Sequence, residues 1–377
     1  MKSFPNLCPK PPHIGADVRT AHSLSAGFYT EPAVFALEQE RIFRRSWHVV
    51  GHLDQVRGPG DFFTTEVLGE PIVVVRGAEL QLRSFYNVCR HRAGPPAEGC
   101  GSRKLFRCAY HGWTYDLAGK LISAPEFENL KEFEGKEFSL QPVSAEEWFN
   151  LIFVNLEPDA PPLHPSLGAL PGQAERFPFR EMKLFERRTY DMACNWKTYV
   201  DNYLEGYHLP SVHPGLNREL DYGSYAVDAY PGHVRQSSPI RGGEPKPGAP
   251  RRYPDAHDLT ADYFWVFPDW MLNCYPDNIS LNLIVPLAPE RCLAIFEWYL
   301  GPGGLDPASA RDAVNFSHQI QLEDVAICER VQKNLRSRSY ESGRYSASQE
   351  KGVHAFHRMY ARAMADPVSV GEPSPTR

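Results

Sequence analysis

The chain lacks several features that would narrow its class at once. It has no apolar run near the roughly 20 residues that cross a bilayer, and residues 1–30 hold no apolar signal-like core. A cytoplasmic protein is therefore expected. Basic charge is not in excess: 40 Lys and Arg against 46 Asp and Glu give a net charge of -6. That balance argues against a nucleic-acid binder, which usually carries a basic stripe. No G-x-G-x-x-G fingerprint follows a strand-like run, so the chain has no obvious means of taking electrons from a nicotinamide itself. Cysteine is too sparse for a disulfide scaffold, with eight in 377 residues. Of these, only Cys89 and Cys108 are each followed closely by a histidine. In a cytosolic protein that pattern favours a metal over a disulfide.

What is present is ordinary globular material, 42% hydrophobic and 23% charged, long enough for two or three domains. Residues 33–47 read as an amphipathic helix, with Phe35, Ile42 and Phe43 near helical spacing. From Val49 to about Asn155 the texture is β, in short runs at Phe62–Val67, Pro71–Val75, Leu80–Tyr86, Leu105–Cys108 and Leu151–Val154, with Gly and Pro turns between them. Pro158, Pro161, Pro162 and Pro165 mark a linker over 157–165. Beyond it we expect a strand over 183–192, a helix over 196–208, and a loop-rich stretch over 231–254. Strand-like runs over 271–285 and 294–299, a long helix over 308–337 and a last helix over 352–365 complete the pattern.

The sharpest motif is Cys89-Arg90-His91 followed by Cys108-Ala109-Tyr110-His111. Two thiolates and two imidazoles on two loops are what a [2Fe–2S] Rieske centre requires, one iron taking the sulfurs and the other the nitrogens. A structural Cys2His2 zinc site is the rival reading. Zinc fingers usually separate the Cys pair from the His pair and place the histidines on a helix, whereas here the types interleave within β texture.

A second group is Glu205, His208 and His213. On a continuous helix Glu205 and His208 would share a face, and Pro210 would let His213 fold back. Two histidines and a carboxylate form the facial triad of non-haem Fe(II) oxygenases. The plain alternative is a pair of ordinary histidines at a helix end. On the long helix near the C-terminus, Ile320, Ile327, Val331 and Leu335 form an apolar stripe that contains Asp324. A carboxylate on a core-facing stripe is costly unless it is paired or binds metal. Glu323 is expected to point elsewhere, into solvent.

Asn87-Val88-Cys89-Arg90-His91-Arg92 and Cys108 through Tyr115 resemble the Rieske loops of ring-hydroxylating oxygenase large subunits. The likeness runs from Arg44-Arg45-Ser46-Trp47 to the last helix. It implies an α+β chain, with an all-β [2Fe–2S] domain before a helix-grip (START/SRPBCC-like) catalytic domain that holds an antiparallel sheet and a long C-terminal helix. The implied boundaries are 1–44 for an N-terminal helical segment on the catalytic domain, 45–157 for the Rieske domain and 158–377 for the catalytic domain. The implied ligands are Cys89, His91, Cys108 and His111 for the cluster, and His208, His213 and Asp324 for mononuclear iron. Ala93 stands where mitochondrial-type Rieske proteins carry an extra cysteine, so their bracing disulfide is absent, which implies a lower-potential cluster.

The resemblance also gives Glu205, with Asn202 nearby, a catalytic role. The acid at that position bridges to a Rieske histidine of a neighbouring chain, here His111, in a homotrimer (α3) that brings together centres too far apart within one chain. Electrons would come from a separate NAD(P)H-dependent reductase, with or without a ferredoxin, and O2 would be the co-substrate. Tyr199, Tyr203 and Phe267 are candidate pocket residues, suited to a quaternary ammonium group or to a flat aromatic. Residues 267–273, Asn282 with Pro286-Leu287, Cys328-Glu329-Arg330-Val331-Gln332 and 352–357 resemble the choline monooxygenase branch. Hydroxylation or demethylation of a choline-, betaine- or carnitine-type cation is expected first, and hydroxylation of an aromatic second. A Rieske electron carrier or a zinc-stabilised binding protein would be the outcome from another class.

Overall fold

The structure is a computed structural model that describes residues 10–242, 259–301 and 305–365. Its contacts group into two compact units, residues 43–166 and residues 10–42 with 167–365. Among the described residues, no helix is long and apolar enough to cross a membrane.

The smaller unit is built from β1 (His48–His52), β2 (Asp61–Val67), β3 (Glu70–Arg76), β4 (Leu82–Tyr86), β5 (Cys100–Ser102), β6 (Phe106–Arg107), β7 (Thr114–Tyr115), β8 (Leu121–Ser123), β9 (Pro142–Trp148) and β10 (Leu151–Asn155). Seven strands pair in the order β1-β10-β9-β4-β3-β2-β5, and β6-β7-β8 form a separate small sheet. Strand β3 is buried on both faces, so Ile72 to Val75 read as one apolar run rather than as an alternation. Its odd and even members serve two different cores: Val73 and Val75 pack with Cys89, Cys108 and Trp113, while Ile72 and Val74 pack with Val143 and Ile152.

The larger unit carries a second seven-stranded antiparallel sheet, from β11 (Lys183–Met192), β12 (Ala226–Tyr230), β13 (His233–Pro239), β14 (Thr260–Val266), β15 (Trp270–Cys274), β16 (Asn278–Ala288) and β17 (Arg291–Leu300), in the order β11-β17-β16-β15-β14-β13-β12. The helices in chain order are α1 (Gly27–Thr30), α2 (Pro32–Arg41), α3 (Leu163–Ser166), α4 (Leu170–Ala174), α5 (Trp196–Tyr203), α6 (Leu209–Val212), α7 (Leu216–Glu219), α8 (Pro307–Leu335) and α9 (Lys351–Met364). The mixed α+β class, with a β unit, an antiparallel sheet and long C-terminal helices, is as expected.

Several elements differ from the sequence expectation. The helix over 33–47 closes at Arg41 and gives way to a 3-10 turn at Phe43–Arg45. The run over 271–285 is two strands, divided by a turn at Tyr275–Asp277 that the apolar residues on either side conceal. Part of the stretch expected as loop, 233–239, is strand β13, while residues 243–254 lie outside the described residues. The helix over 196–208 ends at Tyr203. Two residues on, the Glu205 carboxylate accepts the backbone N–H of His208 at 3.0 Å, a local bond that competes with the helical ladder.

Helix α5 is anchored at its N-terminal end. The Asn195 side chain caps it by accepting from Lys197 N at 2.9 Å. Glu38 from α2 reaches into the core beside it. Its Oε1 accepts from Lys197 Nζ at 2.5 Å and from Tyr360 Oη at 2.6 Å, and its Oε2 from Trp196 Nε1 at 2.9 Å. Glu38 and Lys197 are both fully buried, so each charge depends on the other for its solvation.

Candidate metal centres and the cavity beside one of them

The two Cys-His motifs fold into matching turns. In the first, Ala93 N donates to Cys89 O at 2.9 Å; in the second, Gly112 N donates to Cys108 O at 3.0 Å. The residue four after each cysteine is left-handed, Ala93 at φ 59° and Gly112 at φ 74°. Glycine adopts that conformation freely and alanine at some cost. The turns bring the His91 and His111 rings to 4.5 Å, and His91 stacks on Trp113 at 5.0 Å. The first loop is braced by Asn87, whose Nδ2 donates to Ala97 O at 2.8 Å and whose Oδ1 accepts from Ala97 N at 3.1 Å. Tyr115 contacts Cys89 Sγ at 3.2 Å and accepts from Arg90 N at 3.0 Å.

This pocket fits an iron–sulfur cluster. Burial, and then the proximity of Cys89, push the Cys108 thiol above its ordinary pKa, so two thiolates there call for a cation. Burial, followed by the charges of His111 and Arg92, pushes His91 down toward the neutral imidazole that a metal requires. His91 Nδ1 is buried with no protein partner. A Cβ on Gly94 would lie 2.9 Å from Cys108 Sγ, so the loop can approach the sulfur only as glycine.

The second centre lies in the larger unit. His208 precedes α6 and His213 follows it, so a single helical turn presents both rings, with centroids 4.9 Å apart. Asp324 comes from α8. The donor atoms of His208, His213 and Asp324 lie within 4.8 Å of one another, the one such group found among the described residues. Asp324 Oδ1 is 2.9 Å from His213 Nε2 and 3.7 Å from His208 Nε2, and accepts from Asn202 Nδ2 at 2.6 Å. Each outer ring nitrogen meets a carboxylate: His208 Nδ1 donates to Glu205 Oε1 at 2.7 Å, and His213 Nδ1 to Glu323 Oε2 at 2.7 Å. With Nδ1 protonated in both rings, the Nε2 lone pairs face inward, which is the tautomer a metal ligand needs. Burial alone would lower the pKa of His213, but hydrogen bonds and charge from Asp324 and then Glu323 outweigh it and raise the ring above its ordinary value.

Three expectations are corrected here. Glu205 and His208 do not share a helical face; they meet across a turn. Glu323 is not turned into solvent but fixes His213. The stripe is a core face only in part: Ile320, Asp324, Ile327 and Val331 line cavities and Val331 is exposed, while Leu335 is buried and Ile320 also packs against a core cluster. The buried residues of α8 are Ala310, Ala313, Val314, Gln321, Cys328, Gln332 and Leu335. The two glutamines among them are satisfied: Gln321 Oε1 accepts from Tyr199 Oη at 2.5 Å, and Gln332 Oε1 from Asn195 N at 2.9 Å. A cavity wall and a core wall have the same apolar spacing, so periodicity alone does not separate them.

Two cavities flank the trio, and Asn202, Glu205 and His208 line both. The first also reaches His213 and Asp324 and runs between α8 and the sheet. Tyr199 and Tyr203 line it as expected, whereas Phe267 sits on the β14–β15 turn, away from the residues that line it. Its walls are aromatic, with Tyr203, Tyr225, Tyr263, Tyr275, Phe296 and Trp298 among them. No Lys or Arg lines it among the described residues, while Glu205 and Asp324 do.

Comparison with known proteins agrees with this geometry. Residues 46–134 match the Rieske [2Fe-2S] domain, and residues 179–366 match the ring hydroxylating alpha subunit (catalytic domain). The chain is 33% identical to the chloroplastic choline monooxygenase of Arabidopsis thaliana, over 88% of this chain and 80% of that protein. It is 32% identical to the carnitine monooxygenase oxygenase subunit of Escherichia coli (strain K12), over 96% and 100%. A solved quaternary ammonium Rieske monooxygenase superposes with a TM-score of 0.86 at 28% identity, covering 95% of this chain and 100% of that one. Naphthalene 1,2-dioxygenase from Rhodococcus shares the fold, with a TM-score of 0.73 at 19% identity over 91% and 94%. A Cys-His loop pair in a β unit, a His-His-Asp trio over an antiparallel sheet and these matches together show that the chain belongs to the Rieske non-haem iron oxygenase alpha subunits, an oxidoreductase family.

Proposed function

We propose that this chain is the terminal oxygenase of a system that hydroxylates or demethylates a small quaternary ammonium compound. The observation that carries this reading is the cavity beside His208, His213 and Asp324, walled by aromatic rings, bearing two carboxylates and no Lys or Arg among the described residues. Aromatic faces attract a permanent cation through their quadrupole, most strongly where water is excluded. The choline and carnitine monooxygenases among its relatives support the assignment.

In this reading Cys89, His91, Cys108 and His111 hold the cluster, and His208, His213 and Asp324 hold the mononuclear iron. When bound, these groups supply electrons and O2 activation. Asn202 fixes the Asp324 carboxylate, Glu205 and Glu323 fix the two imidazoles, and the rings of the cavity position the cation and keep bulk water away. A separate NAD(P)H-dependent reductase provides the reducing equivalents. The working assembly is α3, in which Glu205 connects one chain's iron site to His111 of another. Glu205→Gln then keeps both metals but slows cluster reoxidation in rapid mixing with substrate and O2. Wild-type reoxidation rates, or full activity as a monomer, count against that role.

The function itself is tested by supplying the purified oxygenase and a surrogate reductase with 18O2, and with choline, carnitine, glycine betaine and a set of flat aromatics. Label in an oxidised or demethylated product of a quaternary amine is the expected result. Labelled products from the aromatics alone would overturn the proposal.

A further inference from the structure

Many polar groups on the cavity walls are paired within the protein. Tyr203 Oη donates to Asn273 Oδ1 at 2.7 Å, Tyr199 Oη to Gln321 Oε1 at 2.5 Å, and Asn278 Nδ2 to Asp277 Oδ1 at 2.5 Å; the Tyr263 and Tyr275 hydroxyls pair at 2.8 Å. Asn282 is not paired. It is fully buried, it lines the cavity, and neither its Nδ2 nor its Oδ1 has a hydrogen-bond partner. It stands on β16, one of the strands of the cavity wall, where Asn278, Ser280 and Asn282 alternate onto one face, and its cross-strand neighbours are Met271 and Phe296. An amide with both ends unpaired in a dry interior is strongly disfavoured, and such a group on a cavity wall marks a place where something else completes the bonding.

We propose that Asn282 is the polar anchor of the substrate, binding a hydroxyl on the tail of a small quaternary ammonium ion and so selecting a hydroxyl-tailed cation over a carboxylate-tailed one. This deepens the functional reading above and rests on it. A hydroxyl can accept from Nδ2 and donate to Oδ1, satisfying both ends of the amide. A carboxylate only accepts: it would satisfy Nδ2, face the lone pairs of Oδ1, and find no Lys or Arg among the described lining residues to offset its loss of water. The next cross-strand row, Tyr263, Asn273, Ser280 and Trp298, lies two residues along the strands, about 7 Å away. That row places aromatic faces for the ammonium group within a short tether of the amide.

The test is calorimetric titration of the metal-loaded oxygenase with choline, with ethyltrimethylammonium (which lacks only the hydroxyl) and with glycine betaine (a carboxylate in place of the hydroxymethyl group). The wild type is expected to bind choline about tenfold tighter than ethyltrimethylammonium, the effect of one buried polar pair, and glycine betaine more weakly than choline. In Asn282→Leu, checked by an unchanged cluster spectrum, the preference for choline falls to within about twofold, mainly through weaker choline binding. Asn282→Ser, a smaller change, retains part of it. Affinity for choline equal to that for ethyltrimethylammonium in the wild type, tighter binding of glycine betaine than of choline, or an intact preference in Asn282→Leu would each overturn the role of Asn282. If none of the three cations binds while a neutral aromatic does, it is the quaternary ammonium reading that fails.

Discussion

Replacing Glu323 by alanine asks whether the proposed iron site depends on more than His208, His213 and Asp324. Glu323 Oε2 accepts from His213 Nδ1 at 2.7 Å, and its Oε1 accepts from Gln319 Nε2 at 3.0 Å. The His213 side chain is 1% exposed and that of Glu323 28%. Without the carboxylate, a buried imidazole N–H loses its acceptor, and the ring can take the other tautomer, turning a proton instead of a lone pair toward Asp324. Partners of this kind change metal affinity by about 10- to 100-fold, or about 1.4–2.8 kcal/mol. Water can reach the partly exposed Glu323 position and replace some of the lost bond, so we expect about tenfold weaker Fe(II) binding in Glu323→Ala. A smaller loss is expected in Glu323→Gln, whose amide oxygen still accepts. The assay is titration of iron-depleted protein with Fe(II) against a competing chelator, with the cluster absorbance as a control for folding. An affinity within twofold of wild type would refute the reasoning. A loss as complete as that in Asp324→Ala would instead place Glu323 among the donors.

Asp324→Ala should retain the Rieske spectrum while losing mononuclear iron and turnover, measured by metal analysis and product formation. Cys108→Ala should bleach the visible spectrum and remove the reduced-state electron paramagnetic resonance signal; an unchanged cluster would dismiss the ligand assignment. Glu38→Ala strands the Lys197 ammonium, whose pKa burial already lowers, and should cost about 3–5 kcal/mol of stability in denaturant unfolding. Adding Lys197→Met should recover much of that loss, and failure to do so would show that packing rather than charge governs the site. Burial lowers the His233 pKa to about 4 from an ordinary 6.5. The unfolded chain therefore takes up a proton near pH 6.5 that the folded ring takes up only near 4, so stability drops as pH falls through that window. His233→Phe, which keeps a ring to stack on Tyr230 at 4.6 Å, should flatten that acid limb in melting curves recorded from pH 7 to 4.

Chemistry carried by close neighbours in the chain was legible without coordinates. Cys89 with His91 and Cys108 with His111 sit in turns of five or six residues, and His208 with His213 brackets a single helical turn, so spacing alone nearly determines which side chains meet. Strand β11 was read correctly and helix α8 to within two residues, because their residue patterns are long and uninterrupted. Asp324 was reached from an apolar stripe that proved to be in large part a cavity wall; the structure brings it beside His208 and His213, in surroundings other than the core face inferred for it.

What the sequence by itself determined, then, was the set of residues able to bind metal and the class of chemistry they support, because ligand identity is local and each motif constrains its own backbone. Only the tertiary structure decided how those residues are surrounded. Glu323 reaches His213 across 110 positions and Asn202 reaches Asp324 across 122. Whether a carboxylate on α8 meets a histidine or water depends on the rotation of that helix over the sheet, which the packing of Ala310, Gln321 and Cys328 sets. The bonding state of Asn282 was equally hidden, since whether a strand asparagine finds partners for its amide depends on what packs around it, and here the amide of a residue lining the cavity is left with none.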